Sequence, residues 1–375
     1  MLELPPLVDA HCHGVVPGEL GLGSFEALLA GTAAPGTTLF DSPAGFAVRR
    51  WCPPLLGLEP HCTPAHYLAG RRDLGAYEAT RRLLRGAGIG AYLVDPAGSG
   101  ADGPVPAAPP PPDLTSPKDL GSAAAAPAYE TVRLEPLAQQ VADTSGTVGA
   151  FLANVAEAVH TAARTAIAFS VADTCPPGFP AGPPDAGPVR HAAGAWLARR
   201  AAGERLDDPV LLRHLVWNAV ATGRPLQIRG PVGADPLRLT PFLHATAGLG
   251  TDVVLLRGFP GHRPAARLAA AFPHVYTDIG SAPVASALAE TLELAPFGKV
   301  LFSTGAYALP ELYVIGARLF REALERLVTD WVADGAWTPA DARRVAGLIA
   351  AGNARRVYGL QGRPGRGRER AGSDR

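Results

Sequence analysis

Two histidines near the start of the chain, His11 and His13, have the residue type and spacing of a metal site. They lie in the apolar stretch VDAHCHG, which begins at Val8. Alternate residues of a β-strand share a face, so the two imidazoles point the same way and Cys12 points away. Two converging imidazoles supply half of the ligands that a zinc ion takes. The spacing therefore predicts a partial site for one divalent metal, zinc or manganese.

Short apolar runs alternate with helical patterns along the whole chain. We predict eight strands, at residues 7–13, 90–95, 130–134, 165–171, 225–230, 252–258, 275–280 and 300–305. Asp208 and Asp235, each followed by proline, begin two of the intervening helices. This alternation indicates either a (β/α)8 barrel or an open doubly wound sheet. No GxGxxG follows the first strand, so we favour the α/β barrel, in which chemistry takes place at the carboxyl ends of the strands.

Three regions depart from this alternation. Residues 24–87 contain several helical pieces and predict a helical insertion after the first strand, beside the barrel mouth. Residues 97–127 are rich in proline, glycine and alanine without periodicity, which predicts a flexible loop. Residues 361–375 carry arginines among glycines and predict a disordered tail. The rest of residues 1–360 is predicted to form a single barrel domain.

The charge balance and composition exclude several classes of protein. The 34 basic and 34 acidic side chains cancel, so the chain lacks the positive field of a nucleic-acid-binding protein. No apolar run reaches the roughly 18 residues of a membrane span, and the first residues lack the pattern of a signal peptide. The four cysteines form no CxxC pair, which is typical of free thiols in a reducing compartment. We therefore expect a cytoplasmic protein without a nucleic-acid or membrane partner.

The histidine pair, the eightfold alternation and the closing segments LFSTGAYALPELYVIGARLF and GNARRVYGL resemble the amidohydrolase superfamily. The resemblance is greatest to the amidohydrolase-related branch whose domain is sometimes fused to a glutamine synthetase domain, and it extends from Leu7 to Leu360. It implies a TIM-like barrel with helices at its C-terminus. It also implies a metal-dependent hydrolase, or sometimes a decarboxylase or isomerase, that acts at the barrel mouth.

Most positions at which this resemblance implies metal ligands hold other residues in the present chain. The strand-five histidine position is occupied by Arg229, and the strand-six histidine position by Arg257. The aspartate implied at the end of strand eight, both a ligand and a proton-accepting base, is replaced by Gly305. A lysine implied just before strand four is replaced by Arg164. A catalytic zinc takes three protein ligands, so the histidine pair alone supplies one ligand too few.

The substituted arginines change the charge expected at the mouth. A unit charge held about 5 Å from a like charge costs about 3 kcal/mol at an effective dielectric constant near 20, and about twice that against a dication. We therefore predict that Arg229, Arg257 and Arg164 bind a small anionic ligand such as a carboxylate, with no cofactor. Each arginine could equally form an internal ion pair that fills the space left by the metal. A shift of one residue in the strand register would turn Arg229 and Arg257 outward.

Acidic side chains elsewhere could rebuild a catalytic site around the histidine pair. The candidates are Asp278 near the end of strand seven, Glu135 at the end of strand three and Glu311 at the start of the last long helix. His262 lies just beyond strand six. Each also fits a structural role, Glu135 as a partner of Arg133 and Glu311 as a first-turn helix acid.

Two functions stay open at this stage. The first is a barrel without ordinary metal chemistry that binds a small anion or a protein partner. The second is an active hydrolase of C–N or related bonds, with one zinc or manganese rebuilt on His11 and His13. The residue types favour the first and the resemblance favours the second, and either protein could form an oligomer.

Overall fold

Eight parallel strands form one sheet in chain order, which confirms the predicted (β/α)8 barrel. The computed structural model describes residues 3–29, 33–96, 113–172, 181–200, 206–230, 234–258, 260–280 and 285–360. The strands are β1 (Leu7–Cys12), β2 (Ile89–Val94), β3 (Ala128–Arg133), β4 (Ala168–Ala172), β5 (Leu226–Arg229), β6 (Val253–Leu256), β7 (Val275–Asp278) and β8 (Val300–Leu301). The backbone N–H of Ala10 donates to the Phe302 carbonyl at 2.9 Å. This bond joins β1 to the end of β8 and closes the barrel.

Helices surround the barrel and follow its last strand. They are α1 (Leu22–Leu28), α2 (Pro43–Leu55), α3 (Pro64–Leu74), α4 (Ala76–Gly86), α5 (Pro117–Ala124), α6 (Leu134–Asp143), α7 (Val148–Ala162), α8 (Ala186–Arg199), α9 (Pro209–Val220), α10 (Thr240–Thr246), α11 (His262–Ala271), α12 (Ala285–Leu294), α13 (Pro310–Ala333), α14 (Pro339–Gly347) and α15 (Asn353–Val357). The Asp208 carboxylate caps α9, as predicted, by accepting from the Val210 N–H at 2.9 Å. Because α1–α4 separate β1 from β2 and α13–α15 follow β8, the predicted helical insertion and C-terminal helices are confirmed.

The segment 97–127 departs from its prediction. Residues 97–112 lie outside the described residues, but residues 117–124 form α5. The Ser116 hydroxyl caps this helix by accepting from the Asp119 N–H at 3.2 Å, and Pro117 occupies its first position. Leu120 of this helix is fully buried. The predicted flexible loop is therefore wrong for its second half, where local capping and burial outweigh composition; the tail 361–375 lies outside the described residues.

The two faces of the strands contribute to different apolar clusters. The larger cluster packs one face, including Leu226 and Ile228 of β5, against the surrounding helices. The smaller cluster lies inside the barrel and joins Val8 and Ala10 of β1 to Tyr358 in the C-terminal segment. The amino end of the barrel is therefore filled by the C-terminal segment, and the mouth lies at the carboxyl ends of the strands.

Two expectations from composition can be compared with the described part of the chain. None of the described helices reaches the length and hydropathy of a membrane-spanning helix. Cys12, Cys52 and Cys62 carry free thiols, and Cys175 lies outside the described residues.

Candidate active site

His11 and His13 lie at the carboxyl end of β1, and a β-bulge brings them together. Ala10 packs inside the barrel, so strict alternation from that residue would turn both histidines toward the helices. Between Asp9 and Cys12, however, β1 advances three residues while β2 advances two. The bulge returns the imidazoles to the mouth, where their ring centroids lie 5.0 Å apart, and sends Cys12 into the outer core. Strict strand alternation predicted correctly that the two imidazoles point the same way, although it did not predict the bulge.

The imidazole of His13 is held by the backbone of the neighbouring strand. Its Nδ1 lies 3.0 Å from the carbonyl oxygen of Asp95. A carbonyl oxygen only accepts hydrogen bonds, so Nδ1 carries the hydrogen and Nε2 of the neutral ring is an acceptor. The ring of Tyr307 meets this imidazole edge-on, with 5.6 Å between centroids.

The imidazole of His11 lies against Gln227, which sequence analysis missed. The Gln227 amide donates from Nε2 to the Ala10 carbonyl at 2.8 Å and to the Tyr358 hydroxyl at 2.9 Å. Within the described part of the chain, its Oε1 and the Nδ1 of His11 are buried without a well-aligned partner, and the two side chains interact. Gln227 precedes Arg229 by two residues, so strand alternation already placed both on the inner face of β5.

Burial and neighbouring charge favour neutral imidazoles. Burial lowers the pKa of His13 to about 4, with Arg133 and Arg229 acting in the same direction and Asp95 opposing them. Burial, then His13, Arg229 and Arg133, lower the pKa of His11 well below its ordinary value. Both rings are therefore uncharged near pH 7, and both lie within the field of two guanidinium groups.

Arg229 places its guanidinium at the mouth. Its Nε donates to the Ser170 hydroxyl of β4 at 2.8 Å, which fixes the plane of the group, and 8% of the residue is exposed. Arg257 lies beside the end of the same strand. Its guanidinium fills the space that a side chain would take at Gly230, with Nη1 only 1.2 Å from an ideal Cβ position. Both predicted arginines thus lie near the carboxyl end of β5.

Asp95 and Arg133, at the ends of β2 and β3, also belong to the mouth. Arg133 donates to the Asp95 carboxylate from Nε at 3.1 Å and from Nη2 at 2.9 Å. The Asp95 carboxylate also favours the charged form of Arg229, whose pKa burial lowers. Sequence analysis did not assign these two residues to the site. Their position at the carboxyl ends of two predicted strands could have indicated it, because the active sites of such barrels form there.

Two of the three candidate catalytic carboxylates reach the mouth. Asp278, the last residue of β7, accepts from the Arg257 backbone N–H at 2.9 Å and from the Ser303 hydroxyl. Glu135, in the first turn of α6, accepts from the Ala172 backbone N–H at 2.6 Å. Burial raises the pKa of both carboxyl groups, which shifts them toward the neutral form.

The other sequence candidates lie elsewhere. Arg164 is exposed in the turn before β4, at the amino end of the barrel, so the structure corrects its placement in the ligand site. Glu311 is fully buried and its Oε1 lies 3.1 Å from Nε of Arg71, so its carboxylate joins α13 to the helical insertion. His262 begins α11, and its Nε2 lies 2.9 Å from the Glu290 carboxylate.

The described residues at the mouth do not form a complete set of ligands for a divalent metal. Across the described ranges, no group of three or more histidine, cysteine, aspartate or glutamate side chains is arranged to hold one. The Asp95 carboxylate is held by Arg133, and the guanidinium groups beside the imidazoles oppose a dication. Gly305, whose N–H donates to the His11 carbonyl at 2.9 Å, stands beside the pair without a side chain.

Asp9 makes the junction between β1 and β8 sensitive to pH. Its buried carboxylate accepts from the backbone N–H of Thr304 at 2.9 Å and from the hydroxyl of the same residue. Burial raises the pKa of Asp9 from 3.8 to about 7. Between these values the folded protein holds a proton that the unfolded chain has lost. Asp9 therefore stabilises the fold most below its unfolded pKa, and this contribution is lost as the pH rises to about 7.

We expect Asp9→Asn to remove this contribution to the pH dependence of stability, because an amide has no proton to lose. Urea unfolding of both proteins, measured at intervals from about pH 4 to pH 8, gives the difference between their free energies of unfolding. That difference should change by a few kcal/mol in favour of the variant as the pH rises. A difference that does not vary with pH would contradict the assignment.

Comparisons with known proteins agree with this architecture. No family model matches the chain. A stretch of 121 residues, 30% of this chain, is 36% identical to Protein fluG of Emericella nidulans but spans only 14% of that protein. A structure described as a metal-dependent hydrolase from Lactobacillus casei is 23% identical, with a TM-score of 0.73 and coverage of 96% of each chain. Glucuronate isomerase from Caulobacter crescentus is 12% identical, with a TM-score of 0.66 over 97% of this chain and 93% of its own. The barrel expected from the sequence resemblance is thus confirmed as a fold shared with these proteins.

Proposed function

We propose that this protein binds a small carboxylate at the barrel mouth and lacks the ordinary metal-hydroxide chemistry of the amidohydrolase superfamily, which it resembles. The observation that carries the proposal is the buried guanidinium of Arg229, oriented by Ser170 beside two imidazoles. A guanidinium in a fixed plane matches the two oxygens of a carboxylate and is more weakly hydrated than an ammonium group.

The charge balance at the mouth supports an anionic ligand. Two guanidinium groups, those of Arg133 and Arg229, act on both imidazoles. Asp95 balances part of this charge, and burial shifts the remaining carboxyl groups, Asp278 and Glu135, toward the neutral form. The guanidinium groups of Arg133 and Arg229 therefore favour an anionic ligand, because charge-assisted hydrogen bonds are strong in a buried site.

The proposal is tested by calorimetric titration of the protein with succinate, at an ionic strength held constant with sodium chloride. Binding that saturates at one succinate per chain supports the proposal. The absence of measurable binding at millimolar succinate contradicts it.

The alternative proposal is an active hydrolase that keeps one zinc or manganese ion on His11 and His13. The bond from His13 Nδ1 to the Asp95 carbonyl favours it, because histidines that ligate metals are commonly oriented by such a bond. The neighbouring arginines and Gly305 argue against it, since they supply neither a third ligand nor a base.

Metal analysis separates the two proposals. We expect protein purified without chelators to contain well below one equivalent of zinc, manganese or iron, as measured by plasma mass spectrometry. We also expect no turnover of amides or lactones when Zn²⁺ or Mn²⁺ is added. A full equivalent of metal that is lost in the double variant His11→Ala, His13→Ala would establish the alternative.

A further inference from the structure

The mouth contains hydrogen-bond acceptors as well as donors. His13 donates from Nδ1 to the Asp95 carbonyl, and the position of that carbonyl is itself fixed. The Asp95 backbone N–H donates to the Cys12 carbonyl at 2.9 Å, and its side chain is held by Arg133. The tautomer of His13 is thereby set, and Nε2 is the ring atom left to accept a hydrogen bond from a ligand.

His11 is arranged in a similar way. Both hydrogens of the Gln227 amide are used, on the Ala10 carbonyl and the Tyr358 hydroxyl. The Gln227 oxygen is thus the atom that can meet the buried Nδ1 of His11, and a ring that donates there also keeps Nε2 as an acceptor. The β1 end of the mouth therefore presents acceptors, and the β5 end presents the guanidinium donors.

An anion that consists only of acceptor atoms satisfies one half of this site. Its oxygens bind the guanidinium of Arg229 but face the lone pairs of the imidazoles, which weakens binding. A carboxylate with a nearby hydroxyl group satisfies both halves, because the hydroxyl can donate to an imidazole nitrogen while the carboxylate accepts from the arginine.

We infer that the mouth selects hydroxycarboxylates, with the carboxylate on Arg229 and the hydroxyl group donating to Nε2 of His13. This inference rests on the proposed carboxylate site and adds the class of ligand. The hydroxyl group is the feature that separates the preferred ligand from a simple carboxylate of the same length and charge.

Matched pairs of acids test the selection on the unaltered protein. Malate is compared with succinate, and lactate with propionate, by calorimetric titration near pH 7, where all four acids are ionised. We expect each hydroxy acid to bind roughly three- to tenfold more tightly than its partner, as one additional hydrogen bond provides. Equal affinities within the pairs would overturn the inference and leave the carboxylate site standing. Failure of all four acids to bind would contradict the carboxylate site itself, and the inference with it.

The variant His13→Phe locates the acceptor. Phenylalanine keeps a ring that can pack against Tyr307 but has no nitrogen. We expect the variant to lose the preference for malate, so that malate and succinate bind it with equal affinity. A preference for malate that persists in the variant would overturn the role of His13.

A spectroscopic measurement does not depend on the folding of that variant. Long-range ¹H–¹⁵N correlation spectra of the histidine rings distinguish a hydrogen on Nδ1 from one on Nε2. For His13 we expect the Nδ1-protonated tautomer, with the Nε2 resonance shifted on addition of malate and much less on addition of succinate. An Nε2-protonated ring would overturn the inference.

Discussion

Replacing Arg229 with glutamine is expected to weaken the binding of succinate by about tenfold to a hundredfold. Glutamine keeps a polar side chain at the end of β5 but removes the charge and the paired N–H groups. A hydrogen bond between charged groups contributes about 1.5–3 kcal/mol, which corresponds to this range of affinities. Calorimetric titration of the variant and the unaltered protein measures the change.

Arg164→Gln is the matched control for this experiment. It makes the same chemical change at an exposed arginine at the opposite end of the barrel, so the affinity for succinate should stay within the error of the measurement. If Arg229→Gln also left the affinity unchanged, its guanidinium would have a purely internal role, balanced by Asp95 rather than by a ligand.

The variant Glu311→Gln is expected to destabilise the fold by about 3–5 kcal/mol, because it leaves a buried guanidinium without its countercharge. Glu311 is fully buried and Arg71 is 2% exposed, with 3.1 Å between Nε of the arginine and Oε1 of the glutamate. The Tyr67 hydroxyl donates to the same oxygen at 2.7 Å. Urea unfolding monitored by circular dichroism gives the free energy of unfolding.

Glu322→Gln serves as its control on the same helix. Glu322 pairs with Arg50 at 3.0 Å, but the side chains are 30% and 53% exposed, so its loss should cost less than about 1 kcal/mol. If the two variants were equally stable, the buried pair would contribute no more than a surface pair. The double variant Arg71→Met, Glu311→Leu should recover much of the loss, because it removes both charges together.

The sequence predicts the barrel well because its signals are local. Period-two apolar runs, proline after a capping residue and the regular alternation of strands with helices each depend on residues close together in the chain. The predicted strand ends are wrong where contacts between residues distant in the chain determine them. Strand β8 ends at Leu301 rather than near residue 305, because beyond it the backbone turns to bond with β1, nearly 300 residues earlier.

The site is predicted less completely, because its residues are fixed by contacts between distant strands. The inward direction of Arg229 follows from alternation on β5, whereas that of His11 depends on a bulge that no local pattern reveals. Arg164 was placed by analogy of position, and the turn before β4 leaves it exposed. Glu311 lies in the first turn of α13, as predicted, but its partner Arg71 lies in the insertion, 240 residues away in sequence, so no local signal could find the pair.

The junction between β1 and the segment after β8 has a consequence for synthesis on the ribosome. Thr304 bonds to Asp9 across 295 residues, and the Tyr313 hydroxyl donates to the His13 carbonyl across 300. The first strand therefore emerges long before the segment that completes its hydrogen bonds and buries its carboxylate. β1 can pair with β2 early, but its other edge stays unpaired until the end of synthesis, and such an exposed edge is one that chaperones protect.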